Sequence, residues 1–197
     1  MKSRKITLQR ESTETRVQLT LDLDGKGQSK ISTGLPFFDH MLDALTRHGS
    51  FSLELTCTGD LEVDDHHTIE DCALVLGQAL DEILGKRRGI ARFGSAFAPL
   101  DEALARAVVD LSGRPWPEIH LDFQREQIGT VATENLVHFF QSFAIASRST
   151  LHLDILRAQN DHHRCEAAFK ALALALRQAL RPSGSPSVAP STKGVLG

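Results

Sequence analysis

Apolar and polar side chains alternate along several segments of the chain, which is the pattern of strands that bury one face. Residues 17–27 alternate in this way and then turn at Asp24-Gly25, so we predict a half-buried strand that enters a hairpin. Residues 51–59 alternate again and predict a further strand. After them, residues 69–84 carry apolar side chains three and four positions apart, which predicts an amphipathic helix.

The second half of the chain repeats this order of elements. The corresponding segments are residues 103–115 and 119–123 as strands, 134–147 as a helix that matches 36–49, 151–158 as a strand, and 165–182 as a helix closed by Pro182. Each half therefore reads strand–strand–helix–strand–helix. This order predicts a tandem duplication that forms one α/β (α+β) unit, with an antiparallel or mixed sheet in each half and helices on one face.

The duplication also sets the predicted domain boundaries. We expect a single catalytic unit over residues 1–197, made of two similar halves at about 5–88 and 89–182. Residues 183–197 are rich in Ser, Pro and Gly, and composition alone predicts a flexible tail there.

Composition and charge exclude several classes of protein. Hydrophobic residues make up 41% of the chain and charged residues 24%, as in packed soluble proteins. The net charge of −3 provides no electrostatic footprint for nucleic acid or for an anionic membrane. Three cysteines without CxxC spacing favour a reducing compartment. The chain contains no apolar run of the kind that marks a secretory signal or a membrane span. We therefore expect a cytoplasmic protein that binds neither nucleic acid nor membranes.

One chemical motif occurs in both halves, as DDHHTIE at residues 64–70 and NDHHRCE at 160–166, 96 positions apart. If the motif opens a helix, each histidine lies three or four positions before the glutamate and shares a face with it. The two adjacent histidines are separated by about 100° around the helix. Adjacent side chains at that angle cannot comfortably reach one ion from the same direction. The motif therefore favours two different metal ions, each served by one member of the pair.

Two more histidines, His40 and His138, lie at matching places one helix earlier. A single histidine near a helix start is more often a polar or surface residue, but recurrence in both halves favours ligands. The predicted metal ligands are His40, His66, His67, Glu70, His138, His162, His163 and Glu166. Shared between two ions, they leave open positions at a six-coordinate metal, as a catalytic site needs. Imidazole and carboxylate without thiolate suit Mn, Fe, Co, Ni or Zn, and six-coordination favours Mn²⁺ among them. His120 and His152 fall on predicted strands and are interpreted as surface residues.

Five segments carry a resemblance to a known family. They are STGLPFFDHMLDALTRHG (32–49), DDHHTIEDCALVLGQAL (64–80), DLSGRP (110–115), NDHHRCEAAFKALALAL (160–176) and STKG (191–194). In these segments the chain closely resembles the imidazoleglycerol-phosphate dehydratases of histidine biosynthesis, from about Arg10 to its C-terminus. The resemblance implies a duplicated fold like that of ribosomal protein S5 domain 2. It also implies a homo-oligomer of 24 subunits built from trimers, with two Mn²⁺ per active site at subunit contacts.

The resemblance also implies roles for individual residues. The family's metal ligands fall on the same eight positions, and its substrate-binding positions fall on Glu14, His40, His48, Arg92, Arg114, His162, Lys170, Ser191, Thr192 and Lys193. Guanidinium and ammonium groups pair with phosphate oxygens through charge-assisted hydrogen bonds, and the last three positions make residues 183–197 a substrate-binding tail. The implied catalytic residues are Glu14, Glu70 and Glu166, with Glu14 as the best candidate for the base.

The implied reaction is the dehydration of D-erythro-imidazole-glycerol phosphate to imidazole-acetol phosphate by a hydro-lyase. The hydrogen to be removed lies beside no carbonyl, so we expect activation through the ring. Two Lewis acids near the ring nitrogens would favour an imidazolate that bridges the ions and expels the adjacent hydroxide. Two alternatives stay open: a dinuclear metallohydrolase of phosphate esters, and a metal-stapled scaffold without catalysis. Release of inorganic phosphate distinguishes the first, and insensitivity to deletion of residues 191–197 distinguishes the second.

Overall fold

Each half of the chain forms a four-stranded sheet that carries two helices on one face. The structure is a computed structural model that describes residues 3–184, 191 and 196. In chain order the elements are β1 (Lys5–Glu11), β2 (Thr15–Asp22), β3 (Ser29–Ser32), α1 (Pro36–Gly49), β4 (Ser52–Gly59), α2 (His66–Leu84), β5 (Phe93–Leu100), β6 (Ala103–Asp110), β7 (Trp116–His120), β8 (Gln127–Ile128), β9 (Val131–Ala132), α3 (Thr133–Ala146), β10 (Thr150–Arg157) and α4 (Asp161–Ala179). The short strands β8 and β9 pair only with each other.

The two large sheets have the same topology. Their strand orders are β1-β2-β4-β3 and β5-β6-β10-β7, with three antiparallel strands and one parallel edge strand in each. The predicted tandem duplication and the mixed sheets are therefore confirmed. The hairpin predicted at Asp24-Gly25 is wrong, because β4 lies between β2 and β3. The turn there, where the Gly25 amide donates to the Asp22 carbonyl at 3.2 Å, instead begins a crossover to the far edge of the sheet.

Each large sheet contains one strand more than the order strand–strand–helix–strand–helix predicts, and the second half also contains the short pair β8 and β9. The strand β1 is an edge strand in which no residue is fully buried, and β3 has only four residues with none buried. Edge strands expose both faces in part, so their sequences carry a weak alternation. By contrast α1 has the predicted bounds, and the other three helices differ from the prediction by a few residues at their ends.

The helices join the two halves. Helix α1 packs against α4, and α2 packs against α3, so each contact pairs a helix of one half with a helix of the other. At the centre the rings of Phe38 in α1 and Phe139 in α3 lie 5.4 Å apart, and Phe139 lies 5.1 Å from Phe169 in α4. All three phenylalanines are fully buried. This packing places histidines of α1 and α3 beside the repeated motifs at the start of α4 and α2.

The second sheet approaches α4 so closely at Gly94 that a side chain has no room. A Cβ atom on Gly94 would lie 1.9 Å from the carbonyl oxygen of Ala175. Because this obstacle is backbone, we expect Gly94→Ala to lower the free energy of unfolding by about 1–3 kcal/mol or more. Ser95→Ala is the control, since Ser95 lies on the exposed face of the same strand. Urea unfolding of both variants checks this, and equal stabilities would contradict it.

Candidate functional site

The cross-packed helices bring six of the eight predicted ligands into two groups. The α1–α4 cluster consists of His40, His162 and Glu166, and the α2–α3 cluster consists of His66, Glu70 and His138. In each cluster the potential ligand atoms all lie within 4.8 Å of one another. Each cluster combines a single histidine from one half of the chain with a histidine–glutamate pair from the other half.

In the α1–α4 cluster two imidazoles converge on one carboxylate. The Nε2 atoms of His40 and His162 each lie 3.3 Å from Oε2 of Glu166. The other oxygen, Oε1, lies 2.7 Å from Nζ of Lys170. Burial opposes ionisation of Glu166, but the hydrogen bond and charge of Lys170, together with His40, outweigh it and hold the pKa of this carboxyl below its ordinary value.

The α2–α3 cluster has the same residue types in a somewhat different geometry. Nε2 of His138 lies 3.2 Å from Oε1 of Glu70, and Nε2 of His66 lies 3.8 Å from Oε2. The rings of His66 and His138 are stacked, with centroids 4.8 Å apart. The Ser142 hydroxyl lies 3.4 Å from Nε2 of His138.

Local sequence positions the first histidine of each motif on the first turn of a helix. The His66 amide donates to Oδ1 of Asp64, and the His162 amide donates to Oδ1 of Asn160, each at 2.8 Å. Short polar side chains of this kind satisfy the free amides at a helix start. The motif therefore sets the point where the helix begins, and with it the direction of the histidine side chain.

The second histidine of each motif lies outside the clusters. The ring planes of His66 and His67 are 86° apart, and those of His162 and His163 are 87° apart. Among the residues that the structure describes, neither His67 nor His163 belongs to a group of three potential ligands. The two histidines of each motif therefore have different surroundings, with one member inside a cluster and the other outside it.

Both outlying histidines are held through Nδ1 by a carboxylate. His67 Nδ1 lies 3.0 Å from Asp60, and His163 Nδ1 lies 2.8 Å from Glu102. These hydrogen bonds raise the pKa of both histidines. The bond from His163, with backbone amides such as that of Asn160, lowers the pKa of Glu102 to about 2. A carboxylate on Nδ1 fixes the ring and leaves Nε2 as the potential ligand atom, which is the usual arrangement around a metal-binding histidine.

The glutamates Glu14 and Glu102 occupy equivalent turns, between β1 and β2 and between β5 and β6. Glu102 holds Nδ1 of His163. In the first half Asp60 has that role, and Glu14 instead lies 3.8 Å from Nε2 of His67 with half of its side chain exposed. Neither Asp60 nor Glu102 is among the residues predicted from the sequence. The 88-residue offset between Glu14 and Glu102 is the one signal in the sequence that points to Glu102.

Several predicted substrate-binding residues lie around the α1–α4 cluster. His40 and His162 are part of it, and Lys170 contacts its glutamate. His48 lies in the last turn of α1. Burial lowers the pKa of His48, and the positive charge of Lys170 lowers it further. His120 and His152 are exposed, in agreement with their interpretation as surface residues.

The two predicted arginines lie at the opposite end of the second sheet. Arg92 precedes β5 and Arg114 precedes β7, and these strand ends share a row with Thr150 at the start of β10. The His162 motif follows the other end of β10. Because β10 has eight residues, its two ends are about 25 Å apart. Nε and Nη2 of Arg92 lie 2.7 and 2.9 Å from the carboxylate of Asp110. A single chain therefore does not bring the arginines and the α1–α4 cluster together.

The structure describes only part of the predicted substrate-binding tail. Ser191 is among the described residues, whereas the predicted substrate contacts Thr192 and Lys193 lie outside them. Their proposed roles rest on the sequence alone.

A family model described as imidazoleglycerol-phosphate dehydratase matches residues 33–176 of the chain, which is more than half of its length. The chain belongs to the imidazoleglycerol-phosphate dehydratase family. A relative of that name from Candida glabrata is 53% identical over 96% of this chain and 98% of its own length. Another from Phytophthora nicotianae is 56% identical over 98% of this chain. This chain spans only 42% of that longer protein.

A solved structure extends the similarity to the fold. The crystal structure of IGPD from Pyrococcus furiosus has a TM-score of 0.82 and 34% sequence identity, and the similarity covers 96% of this chain and all of the other. The segment that matches the imidazoleglycerol-phosphate dehydratase model contains both clusters and both outlying histidines. Glu14 and the tail lie outside that segment.

Proposed function

We infer that this chain is a hydro-lyase that dehydrates imidazoleglycerol phosphate to imidazole-acetol phosphate in histidine biosynthesis. Membership of the dehydratase family supports the reaction. The observation that carries the proposal is the pair of matching clusters, each with two imidazoles and one carboxylate, built across the two halves.

The donor set fits two divalent transition-metal ions. Ligand atoms bound to one ion at about 2 Å lie within roughly 4 Å of one another, close to the 4.8 Å limit that each cluster meets. The donors are imidazole and carboxylate without thiolate, which suits Mn²⁺, and two Mn²⁺ per active site are part of the proposal. When bound, the ions supply Lewis acidity that draws electron density from a ring ligand and lowers the pKa of its N–H.

The remaining roles fall to side chains of the protein. Glu70 and Glu166 provide the carboxylate ligands, and Glu14 is the base that removes the proton from carbon. Glu102 is unsuited to that role, because its carboxylate is already bonded to His163 and to two backbone amides. The substrate phosphate is bound by cationic groups and by hydroxyl groups, through hydrogen bonds that the phosphate charge strengthens. We assign this binding to Arg92, Arg114, Lys170, Ser191, Thr192 and Lys193, with His40, His48 and His162 at the ring.

The active site of this proposal is shared between copies of the chain. Arg92 and Arg114 are remote from the α1–α4 cluster in one chain, and among the described residues neither His67 nor His163 belongs to a cluster. A neighbouring copy would supply the fourth ligand to each cluster and the phosphate-binding arginines. Assembly of 24 subunits from trimers, as the family resemblance implies, is the form of homo-oligomer that we propose.

A cytoplasmic location completes the proposal. No described helix is long and apolar enough to cross a membrane. The three cysteines are free thiols with buried side chains, which is compatible with a reducing compartment.

A phosphate-ester hydrolase with two metals is the second candidate, and the geometry disfavours it. Two-metal hydrolysis uses ions about 3.5–4 Å apart that together clamp one phosphoryl group, and such ions commonly share a bridging ligand. The two clusters have no residue in common. Two separate clusters, which would each hold one ion and supply Lewis acidity to the ring, suit the dehydration better.

The proposed function is tested by adding imidazoleglycerol phosphate to the purified protein as isolated, after chelator treatment, and after Mn²⁺ is restored. We expect ketone formation that is lost on chelation and recovered with Mn²⁺, because every cluster side chain is a metal donor. Inorganic phosphate is measured in the same samples. Phosphate release would support the hydrolase, and activity that persists in metal-free protein would contradict the proposal.

A further inference from the structure

The two clusters differ at one pair of equivalent positions. Asn135 and Phe37 each lie three residues before the single histidine of their cluster, His138 and His40, so they occupy matching places on α3 and α1. Asn135 Oδ1 lies 2.9 Å from Nδ1 of His66. The ring of Phe37 instead meets the ring of His162 edge-on, with centroids 5.2 Å apart. Equivalent histidines therefore have a hydrogen-bonding neighbour in one half and an apolar neighbour in the other.

A buried carboxylate fixes the orientation of the Asn135 amide. Asp65 is only 8% exposed and accepts from Asn135 Nδ2 and from the Ala132 amide, each at 2.9 Å. Because a carboxylate only accepts, the amide must present its NH₂ group to Asp65 and its carbonyl oxygen to His66. Nδ1 of His66 then donates its proton, and Nε2 keeps a lone pair directed at the cluster.

The equivalent carboxylate in the second half is occupied elsewhere. Asp161 accepts from the backbone amides of Gln124 and Arg125 at 2.9 and 2.7 Å, and from Arg164 Nε at 2.9 Å. Within the described part of the chain, no hydrogen bond to Nδ1 of His162 is found. The orienting chain of carboxylate, amide and imidazole is therefore a property of the α2–α3 cluster alone.

The surroundings of the cluster carboxylates, Glu70 and Glu166, are a second difference between the two clusters. Lys170, whose side chain is 17% exposed, lies 2.7 Å from Glu166. The equivalent position four residues after Glu70 is Leu74. An ammonium on a ligand carboxylate repels a cation and occupies one oxygen, and partial burial strengthens this repulsion. Glu70 has no such competitor at the matching place.

We propose that the two clusters bind divalent cations unequally, with the α2–α3 cluster as the tight site and the α1–α4 cluster as the weak one. The inference rests on the proposed function, which places one cation in each cluster. Both differences act in the same direction, because Asn135 orients a ligand of the first cluster while Lys170 competes at the second. Loss of such an outer partner typically weakens metal binding about 10- to 100-fold.

The test is a titration of the full-length, metal-free protein with Mn²⁺ alone, in which electron paramagnetic resonance reports the free ion. We expect two classes of site per chain that differ in affinity by at least about tenfold. Asn135→Leu removes the acceptor and should weaken the tight class about 10- to 100-fold. Phe37→Leu, at the matching position, should leave both classes unchanged. Lys170→Met should tighten the weak class, since it removes the competing charge.

A second pair of variants keeps the test decisive if Asn135→Leu does not fold. His66 and His162 have side chains that are 41% and 42% exposed, so both tolerate truncation better than a buried residue. His66→Ala should abolish the tight class, and His162→Ala should leave it intact. Two equal classes in the unaltered protein, or loss of the tight class in His162→Ala, would overturn the inference but not the proposed function. Absence of any Mn²⁺ binding would overturn both.

Discussion

Replacement of Glu14 by Gln is expected to reduce turnover by about 10²–10⁴-fold, the usual contribution of a general base. The amide keeps the shape of the side chain but cannot accept a proton from carbon. Glu14 lies 3.8 Å from His67 Nε2 and half of its side chain is exposed, so the substitution should leave the fold and Mn²⁺ binding unchanged. Ketone formation with saturating substrate and Mn²⁺ measures the effect.

Glu102→Gln is the matched control, since Glu102 occupies the equivalent turn of the second half. Its amide oxygen still accepts from Nδ1 of His163, so we expect a loss below about tenfold, expressed mainly as weaker Mn²⁺ binding. Full turnover in Glu14→Gln would show that the base has been assigned wrongly. A loss of bound Mn²⁺ in that variant would show that Glu14 acts through the metal site instead.

Two variants that are each inactive are expected to restore activity when they are combined in one oligomer. Arg114→Ala removes a proposed phosphate-binding group and His162→Ala removes a proposed metal ligand, and these residues lie at opposite ends of the second sheet. If one active site takes them from different copies, a co-expressed oligomer with equal amounts of both variants has about a quarter of its sites intact. Tandem purification on two tags isolates the mixed oligomer for the dehydration assay.

The control for this experiment combines Arg114→Ala with Arg92→Ala. Both arginines lie at the same end of the sheet, so one copy should supply both to a given site. No intact site can then form, and activity should stay at the level of the single variants. Activity that remains equally low in the Arg114→Ala and His162→Ala oligomer would contradict a site shared between copies.

Local patterns predicted much of the fold, but not its strand connections. Helix α1 has the predicted bounds because its period and flanking residues are local properties. The turn at Asp24-Gly25 resembles a hairpin in sequence, yet the position of β4 between β2 and β3 makes it a crossover. Strand neighbours depend on long-range pairing, which a local alternation of side chains does not encode.

At the candidate site, too, local patterns predict the residues, and long-range contacts set which of them meet. Residue types and spacing were enough to select six histidines and two glutamates, because the separation of His66 from Glu70 on a helix is a local quantity. Spacing did not indicate that His40 joins His162, which lies 122 positions later. That pairing depends on the contact between α1 and α4. Asp60, Asn135 and Glu102 were also missed, since each reaches its histidine from a different element.

The residue pattern along the chain is enough to predict the duplication, the helix starts that carry the predicted ligands, and the chemical character of the donors. Long-range packing sets which predicted ligands meet, which histidine of each pair stays outside a cluster, and how far the arginines lie from the α1–α4 cluster. The physical reason is that hydrogen bonding within a helix acts over four residues, whereas burial of the apolar faces of four helices acts between segments that are distant along the chain.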